Sequence, residues 1–371
     1  MRQVEQDSLQ QLFPMNRRQF WNVVALQQDV VEEIRLRAGR PILVRKEGEE
    51  WYLDAMGEFT DKQELAEHIS GEELEELLQH ICNYSLYAFS DEVKQGFITV
   101  RGGHRVGLAG QVVLESDGRV RTIKHIRFMN IRISHQIKGV ADSVLSQIYD
   151  VNGIKNILII SPPGCGKTTL LRDLVRQVSD GNKYHSGMSV GLVDERSELA
   201  GSYLGEPQND VGIRTDVLDA CPKVMGMMML LRSMAPAVVA VDELGGEEDA
   251  RALRLVASCG AKIIATIHGE SPEDALQKLG IKTFGQDCLF EVFILLGKVD
   301  GRPGIKHLWK REELYAQMDR RFYDSGRFSG IGNLVSGAVP ATFGVDQNSY
   351  RDSGNVNQRS ALWKNSTSGV L

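Results

Sequence analysis

Residues 154–178 read IKNILIISPPGCGKTTLLRDLVRQV, and this stretch determines the fold expected for the chain. Its apolar run at 157–160 is typical of a buried parallel strand. From Lys167 onward leucine and valine recur at helical spacing, and Gly181 marks the expected end of that helix. Glycine and proline dominate the turn at 161–168 between them. The stretch therefore predicts a strand, a tight loop and a helix in direct succession.

The loop in this arrangement has the composition of a phosphate-binding loop. Backbone N–H groups of such a loop and the positive end of the helix dipole face phosphate oxygens. Lys167 is expected to contact the β- and γ-phosphates, and the Thr168 hydroxyl to bind Mg²⁺, so ATP and Mg²⁺ are the predicted cofactors. The residues predicted to bind the nucleotide are Ser161, Pro162, Pro163, Gly164, Cys165, Gly166, Lys167, Thr168 and Thr169.

One position departs from the pattern G-x-x-x-x-G-K-[ST]. Ser161 stands where the first glycine is expected. Pro162, Pro163 and the two loop glycines can still make the turn, because proline presets φ and glycine tolerates positive φ. A chance Gly-Lys-Thr in a βα turn is the alternative, and the strand and helix predicted on either side argue against it.

The composition is that of a globular protein of more than one domain. The chain has 371 residues, 42% of them hydrophobic and 25% charged, and a net charge of −6. This length predicts two domains and a tail. The acidic balance gives no support for nucleic-acid binding, so no nucleic-acid partner is expected. Five cysteines without metal-binding spacing predict reduced thiols in a cytosolic protein.

The sequence predicts neither a secretory signal nor a membrane span. The first residues are too polar for a signal peptide. The longest apolar stretch, 224–241, is interrupted by Arg232 and Pro236. Any work at a membrane is therefore expected to be done through partners, from the cytoplasmic side.

Hydrophobic patterning divides the chain into three regions. A small α+β domain is predicted for 1–137, with a capping box at Ser70 and Glu73 and a hairpin around Gly102. A linking helix at 138–150 is expected to open a second domain, 138–320, and strands at helix-separated intervals predict a mostly parallel sheet there. The segment 321–371 is rich in Gly, Ser and Asn and is predicted to be a flexible, disordered tail. The further strands of the second domain are predicted at 188–194, 237–243, 261–268 and 289–296.

Two carboxylates follow a hydrophobic strand in the sequence VVAVDEL. Phosphate hydrolysis needs an acid that holds the metal and a group that orients water. Asp242 is the candidate for the Mg²⁺ shell, acting through water, and Glu243 for polarising the attacking water. Strand-end carboxylates that only cap the next helix are the alternative, which the upstream phosphate loop makes less favourable.

Two more strand ends carry polar residues. Ligands of open α/β sheets bind at the carboxyl ends of strands, so the cluster 194–198 (DERSE) is expected to face the same site. A solvated, capped loop is the other interpretation of this cluster. His268 ends another core strand and is interpreted as a sensor of the γ-phosphate or water rather than as a structural histidine. Glu195 and His268 are therefore added to the catalytic candidates.

An arginine that stabilises the transition state is also expected if the protein forms a ring. The sequence does not determine which arginine this is. We favour Arg105, because Gly102 and Gly103 beside it allow a close backbone approach to another surface. The arginines considered are Arg101, Arg105, Arg127, Arg132, Arg214 and Arg232.

These motifs together resemble the stage III sporulation protein AA family of endospore-forming bacteria. This family is related to the motors of type II and type IV secretion and of pili. The resemblance runs in order from about residue 30 to about residue 300. The stretches that carry it include EEIRLRAGRPILV, GFITVRGGHRVGLAGQV, SPPGCGKTTLLRDLVRQVS, GLVDERSELAG, MAPAVVAVDELGGEEDARAL and AKIIATIHG.

The resemblance implies a RecA-like P-loop ATPase core of α/β class behind an amino-terminal domain. It implies a ring, expected to be a homo-hexamer, that energises a membrane channel complex between mother cell and forespore. The protein would then lie at the cytoplasmic face of the mother-cell membrane. By this resemblance 161–168 is the Walker A motif, 238–243 the Walker B motif, 194–198 the Asp box and 266–268 the His box. Which of Glu195 and Glu243 is the catalytic carboxylate stays open.

Two other functions are compatible with the motifs. RecA-like rings also translocate nucleic acid, although no nucleic-acid-binding module is recognisable here. A scaffold that binds ATP without turnover is the second alternative. The intact Asp242-Glu243 pair argues against the scaffold.

Overall fold

A computed structural model describes residues 9–281 and 288–316 of the chain. The predicted tail at 321–371 lies outside these residues. The described residues all belong to one compact unit. The helices are Asn22–Leu26 (α1), Gly71–Ile81 (α2), Ser90–Lys94 (α3), Leu145–Ile148 (α4), Lys167–Asp180 (α5), Lys223–Ser233 (α6), Glu247–Ser258 (α7) and Pro272–Lys278 (α8), and short 3₁₀ segments are Met15–Arg17, Gln63–Leu65 and Leu86–Phe89.

Within the described residues the strands form two large sheets and two small ones. In the first half of the chain they are Val31–Arg37 (β1), Arg40–Pro41 (β2), Leu43–Lys46 (β3), Glu49–Leu53 (β4), Phe59–Thr60 (β5), His68–Ile69 (β6), Phe97–Thr99 (β7), Arg105–Leu114 (β8) and Val120–Arg132 (β9). In the second half they are Tyr149–Asp150 (β10), Gly153–Ile154 (β11), Ile157–Ser161 (β12), Val190–Asp194 (β13), Thr215–Asp219 (β14), Val238–Leu244 (β15), Lys262–His268 (β16), Val292–Val299 (β17) and Arg302–Lys310 (β18).

The first large sheet is antiparallel, in the order β5-β4-β3-β1-β9-β8-β7. Helix α2 begins with the predicted capping box, since Ser70 accepts a hydrogen bond from the N–H of Glu73 and the Glu73 side chain accepts one from the N–H of Ser70. The predicted hairpin is also confirmed, because β7 and β8 pair across Gly102 and Gly103, both with positive φ. The apolar side chains of this part of the chain form one core that extends to Ile133.

The second large sheet has the order β14-β13-β15-β16-β12-β17-β18. Its first six strands are parallel, and β18 pairs antiparallel with β17. Separate apolar clusters cover its two faces, as expected for strands that read as continuous hydrophobic runs. Strands β12, β13, β15, β16 and β17 confirm those predicted from the sequence, and their carboxyl ends meet at one edge.

Three elements differ from the prediction. The expected linking helix at 138–150 is only the four-residue α4. Ahead of it, the N–H of Ala141 donates to the Asp173 carboxylate instead of to a helical carbonyl, which holds that segment against α5. Strands β14 and β18 were not predicted. Both lie at sheet edges and are partly exposed, so they lack the continuous apolar run of a central strand.

Within the described residues, no helix has the length and apolar character needed to cross a bilayer.

Candidate nucleotide-binding site

The loop between β12 and α5 has the backbone expected of a phosphate-binding loop. Gly164 has a φ of 71° and Gly166, the residue before α5, a φ of 87°. Ser161 is the last residue of β12 and is buried, and its hydroxyl donates to the Pro162 carbonyl at 2.7 Å. Positive φ falls on the two glycines and not on Ser161. The serine at the first motif position is therefore compatible with the turn.

Lys167 opens α5 and points at the carboxylates that end β15. Its side chain is buried, with Nζ 3.2 Å from Glu243 Oε2 and 4.0 Å from Asp242 Oδ1. The hydroxyl of Thr266, on the neighbouring strand β16, donates to Asp242 Oδ1 at 2.9 Å. The structure thus brings together the phosphate-loop lysine and both predicted strand-end carboxylates.

Glu243 sits at an irregular point of β15. The register with β16 shifts between Val241 and Leu244, and Glu243 has a φ of 32°, which is uncommon for a residue other than glycine. Its N–H donates to Thr266 Oγ1 at 2.8 Å and to Asp242 Oδ1 at 2.9 Å. Hydrogen bonds to Asp242 and Thr266 therefore hold the backbone in this conformation, which directs the Glu243 side chain toward Lys167.

Three cationic or basic side chains surround the Glu243 carboxylate. Besides Lys167, Arg196 Nη1 lies 3.2 Å from Oε2, and His268 Nε2 lies 3.4 Å from Oε1. The other ring nitrogen of His268, Nδ1, lies 3.2 Å from the Ser161 carbonyl oxygen. Burial alone would raise the pKa of Glu243, but Lys167, Arg196 and His268 outweigh it, so the pKa is lowered. Glu243 is therefore held as a carboxylate.

The loop after β13 uses its acidic residues differently. Asp194 is fully buried and accepts hydrogen bonds from the N–H groups of Glu198, Leu199 and Ala200. Glu195 forms an ion pair with Lys223 at the start of α6. In the described part of the chain, the carboxylates within ion-pair distance of Lys167 are Asp242 and Glu243, and Glu195 is not among them.

The predicted arginine, Arg105, contacts this same loop. Its Nη1 lies 2.6 Å from Glu198 Oε1, and its guanidinium carbon lies 3.5 Å from the centre of the Phe97 ring. Arg101 donates to Gln11, and Arg214 to the carbonyls of Ser179 and Asp180. The remaining three arginines considered, Arg127, Arg132 and Arg232, are exposed.

The oxygen groups beside Lys167 fit Mg²⁺. Asp242 offers a carboxylate, and half-buried Thr168 a hydroxyl, in the first turn of α5. Hard oxygen donors of this kind suit Mg²⁺, which usually keeps waters and takes its other ligands from phosphates. The described residues contain no cluster of three or more His, Cys, Asp or Glu arranged for a metal. An ion held by Thr168 and Asp242 would take its other ligands from water and from the phosphates of a nucleotide.

The sequence did not single out two arginines at the site. Arg196 lies inside the DERSE cluster, where the three acidic residues dominate the pattern. Arg172, on the buried face of α5, donates to the carbonyls of Leu199 and Glu198 at 2.6 Å each. A charged residue at an apolar helical position is the available signal for Arg172, because such a side chain is seldom buried without partners.

The class of fold follows from solved structures. The chain resembles the ATPase DotB of Legionella pneumophila, with a TM-score of 0.52 and 16% identity over 82% of this chain and 83% of that one. It also resembles the pilus retraction motor PilT with bound ADP, with a TM-score of 0.55 and 15% identity over 82% and 88%. The protein therefore has the RecA-like α/β fold of secretion and pilus ATPases.

The family is established by sequence. The model of the family described as "Sporulation stage III, protein AA" matches residues 3–313. The stage III sporulation protein AA of Bacillus subtilis (strain 168) is 40% identical over 282 residues, which are 76% of this chain and 87% of that protein. The chain belongs to the sporulation stage III protein AA family, as its motifs predicted.

Proposed function

We propose that this protein binds and hydrolyses Mg-ATP and drives a secretion-like channel complex between mother cell and forespore during sporulation. The observation that carries the proposal is the convergence of Lys167, Asp242 and Glu243 at the carboxyl edge of the parallel sheet. In open α/β sheets ligands bind at this edge. The preceding loop has the backbone of a phosphate cradle.

Each side chain has a chemical role in this proposal. Lys167 binds the β- and γ-phosphates, and Asp242 with Thr168 would hold Mg²⁺, which neutralises charge on the phosphates when bound. Glu243 accepts the proton of the attacking water, for which it must be ionised, in agreement with its lowered pKa. His268 remains the proposed sensor of the γ-phosphate or the attacking water, and its contact with Glu243 Oε1 would connect it to the catalytic carboxylate.

Glu243 is the better candidate than Glu195 for the catalytic carboxylate. Glu243 shares its surroundings with Lys167, whereas the charge of Glu195 is already paired with Lys223. A general base has to be within hydrogen-bond reach of the water near the γ-phosphate. The neighbourhood of Lys167 is where that water is expected.

A homo-hexameric ring and channel proteins as partners are part of the same proposal. Membership of a sporulation family and a fold shared with ATPases of secretion and pilus systems support it. The ring would work at the cytoplasmic face of the mother-cell membrane. Arg105 remains our proposed arginine across the subunit interface, to be tested by mixing Arg105→Ala and Glu243→Gln subunits and looking for recovered activity.

Paired substitutions of the two glutamates test the hydrolytic core of the proposal. Glu243→Gln is nearly isosteric but a poor proton acceptor, so we expect phosphate release to fall by roughly 10²- to 10⁴-fold while ATP still binds. Glu195→Gln is the matched control and should retain most of the turnover. Full turnover in Glu243→Gln would contradict the assignment. A parent protein that binds ATP without releasing phosphate would instead indicate a scaffold.

A further inference from the structure

Arg196 is a cation at the candidate site that the roles above leave unassigned. Its Nη1 lies 3.2 Å from Glu243 Oε2, the oxygen that is also 3.2 Å from Lys167 Nζ. The Arg196 side chain is 57% exposed, so a ligand can reach the guanidinium beside this ion pair. In the described part of the chain, Glu243 is the residue with which Arg196 forms an ion pair. Because a guanidinium has several N–H donors, one that pairs with a single carboxylate can still donate hydrogen bonds to a second anion.

The loop that carries Arg196 is fixed from both sides. The carboxylate of Asp194 accepts hydrogen bonds from the backbone N–H groups of residues 198–200. The buried Arg172 side chain donates hydrogen bonds to two carbonyl oxygens of the same turn. Ser197 takes a φ of 53°, and its hydroxyl donates to Asp219 at 2.7 Å. Arg196 is thus presented by a rigid turn, and little backbone entropy is lost when its side chain binds a ligand.

The charges around Glu243 favour an incoming anion. Lys167 and Arg196 bring two permanent positive charges to a single carboxylate oxygen, and Asp242 lies farther from the lysine than Glu243 does. A terminal phosphate offers more charge and more acceptor oxygens than one carboxylate. Lys167 is expected to contact the β- and γ-phosphates, and Glu243 is proposed to face the water that attacks the γ-phosphate. Because the Arg196 guanidinium contacts the same Glu243 oxygen as Lys167, it is expected at the γ end of the nucleotide.

We propose that Arg196 binds the γ-phosphate of the ATP held by its own chain, and so lets the site distinguish ATP from ADP. Glu243 holds Arg196 and Lys167 until the nucleotide arrives, and the phosphate then takes both cations. The inference rests on the proposed function, since it concerns the same site. It assigns an arginine within the chain, whereas Arg105 is held by Glu198 and Phe97.

Nucleotide selectivity tests this role. ATP and ADP, each with Mg²⁺, are titrated calorimetrically into the full-length parent protein and the variants Arg196→Ala, Arg196→Lys and Arg254→Ala. For Arg196→Ala we expect ATP affinity to fall roughly 10- to 100-fold, with ADP affinity nearly unchanged, because ADP lacks the phosphate in question. Arg196→Lys should lie between, since lysine keeps the charge and loses the planar fork. Arg254→Ala removes an exposed positive charge of α7 and should change neither affinity.

The ratio of the two affinities decides the outcome. An Arg196→Ala protein with the parent's ATP-to-ADP ratio overturns the inference. An equal loss for both nucleotides also overturns it, because Arg196 then only supports the loop. A parent protein that binds neither nucleotide overturns the proposed function, and this inference with it. If the parent hydrolyses ATP and Arg196→Ala keeps the parent's preference for ATP over ADP, the inference is overturned and the proposed function stands.

Discussion

Asp194 and Glu243 end neighbouring strands of one sheet, yet their carboxylates have opposite surroundings. Asp194 is fully buried, and three backbone N–H groups occupy its oxygens. Burial raises its pKa to about 6, against the effect of those hydrogen bonds. Glu243 is partly exposed, its neighbours are the side chains of Lys167, Arg196 and His268, and its pKa is lowered. Position at a strand end alone therefore does not define a role.

The two carboxylates differ in whether a ligand could replace their hydrogen-bond and ion-pair partners. The partners of Asp194 belong to the backbone of its own loop, and a ligand could replace them only by opening that loop. The partners of Glu243 are the side chains of Lys167, Arg196 and His268, and in the proposed function an incoming phosphate takes over the two cations Lys167 and Arg196. Asp194 thus builds the loop that positions Arg196, while Glu243 keeps partners that it could exchange, as its proposed catalytic role requires. The following changes are designed to break or sharpen this distinction.

Lys167→Ala should have the largest effect of these changes, and the quantity that changes should be the affinity for ATP. The substitution removes charge-assisted contacts to two phosphates at roughly 1.5–3 kcal/mol each, so ATP affinity should drop about 100-fold or more. Calorimetric titration with Mg-ATP measures this. Lys223→Ala is the matched control, because it removes a lysine that pairs with Glu195, the residue next to Asp194. Near-parental affinity in Lys167→Ala would remove the phosphate loop from its assigned role.

The part of this site that could be predicted from the sequence is the part encoded locally. The strand, loop and helix around Lys167 and the strand ends at Asp242 and His268 depend on neighbouring residues and on hydrophobic periodicity. The roles of the residues in the cluster 194–198 (DERSE) depend instead on how the segment 195–209 packs against the rest of the structure. Asp194 binds its own loop, Glu195 pairs with α6, and Arg196 reaches Glu243. Such long-range pairings leave no period in the sequence.

The stability of Asp194→Asn should depend on pH in a direction set by the raised pKa. Folded Asp194 has a pKa of about 6 and the unfolded chain one near 3.9, so the folded state binds more protons between these values. The contribution of the Asp194 carboxyl group to the free energy of unfolding is therefore present at low pH and is lost as the pH rises through 6. Urea unfolding should show that the destabilisation by Asp194→Asn is greater at pH 4 than at pH 7, by roughly 2 kcal/mol.

Glu243→Gln supplies the comparison of opposite sign. The pKa of Glu243 is lowered in the folded state, so its stabilising contribution is present above the unfolded pKa and is lost as pH falls. The effect of Glu243→Gln on the free energy of unfolding should therefore be greater at pH 7 than at pH 3. If both variants show the same sign of pH dependence, the two carboxylates do not differ as their partners indicate.

The smallest expected effect is that of Arg105→Ala, and it separates two roles for this arginine. In the structure Arg105 joins the antiparallel sheet to the loop after β13 through Glu198, and it stacks on Phe97. Both groups of the ion pair are partly exposed, so solvent screening limits its value. We expect unfolding to become easier by about 1 kcal/mol.

Glu198→Gln and the double variant complete the test of Arg105. If the contact is only structural, the two single changes should be non-additive in stability, with a coupling of roughly 0.5–1 kcal/mol, and both should lower ATP turnover slightly and equally. If Arg105 also acts on the nucleotide of a neighbouring subunit, its loss should lower turnover far more than Glu198→Gln does, at the same ATP affinity. Glu198→Gln frees Arg105 without removing it, so a gain in turnover in that variant would indicate that the ion pair restrains an arginine needed elsewhere.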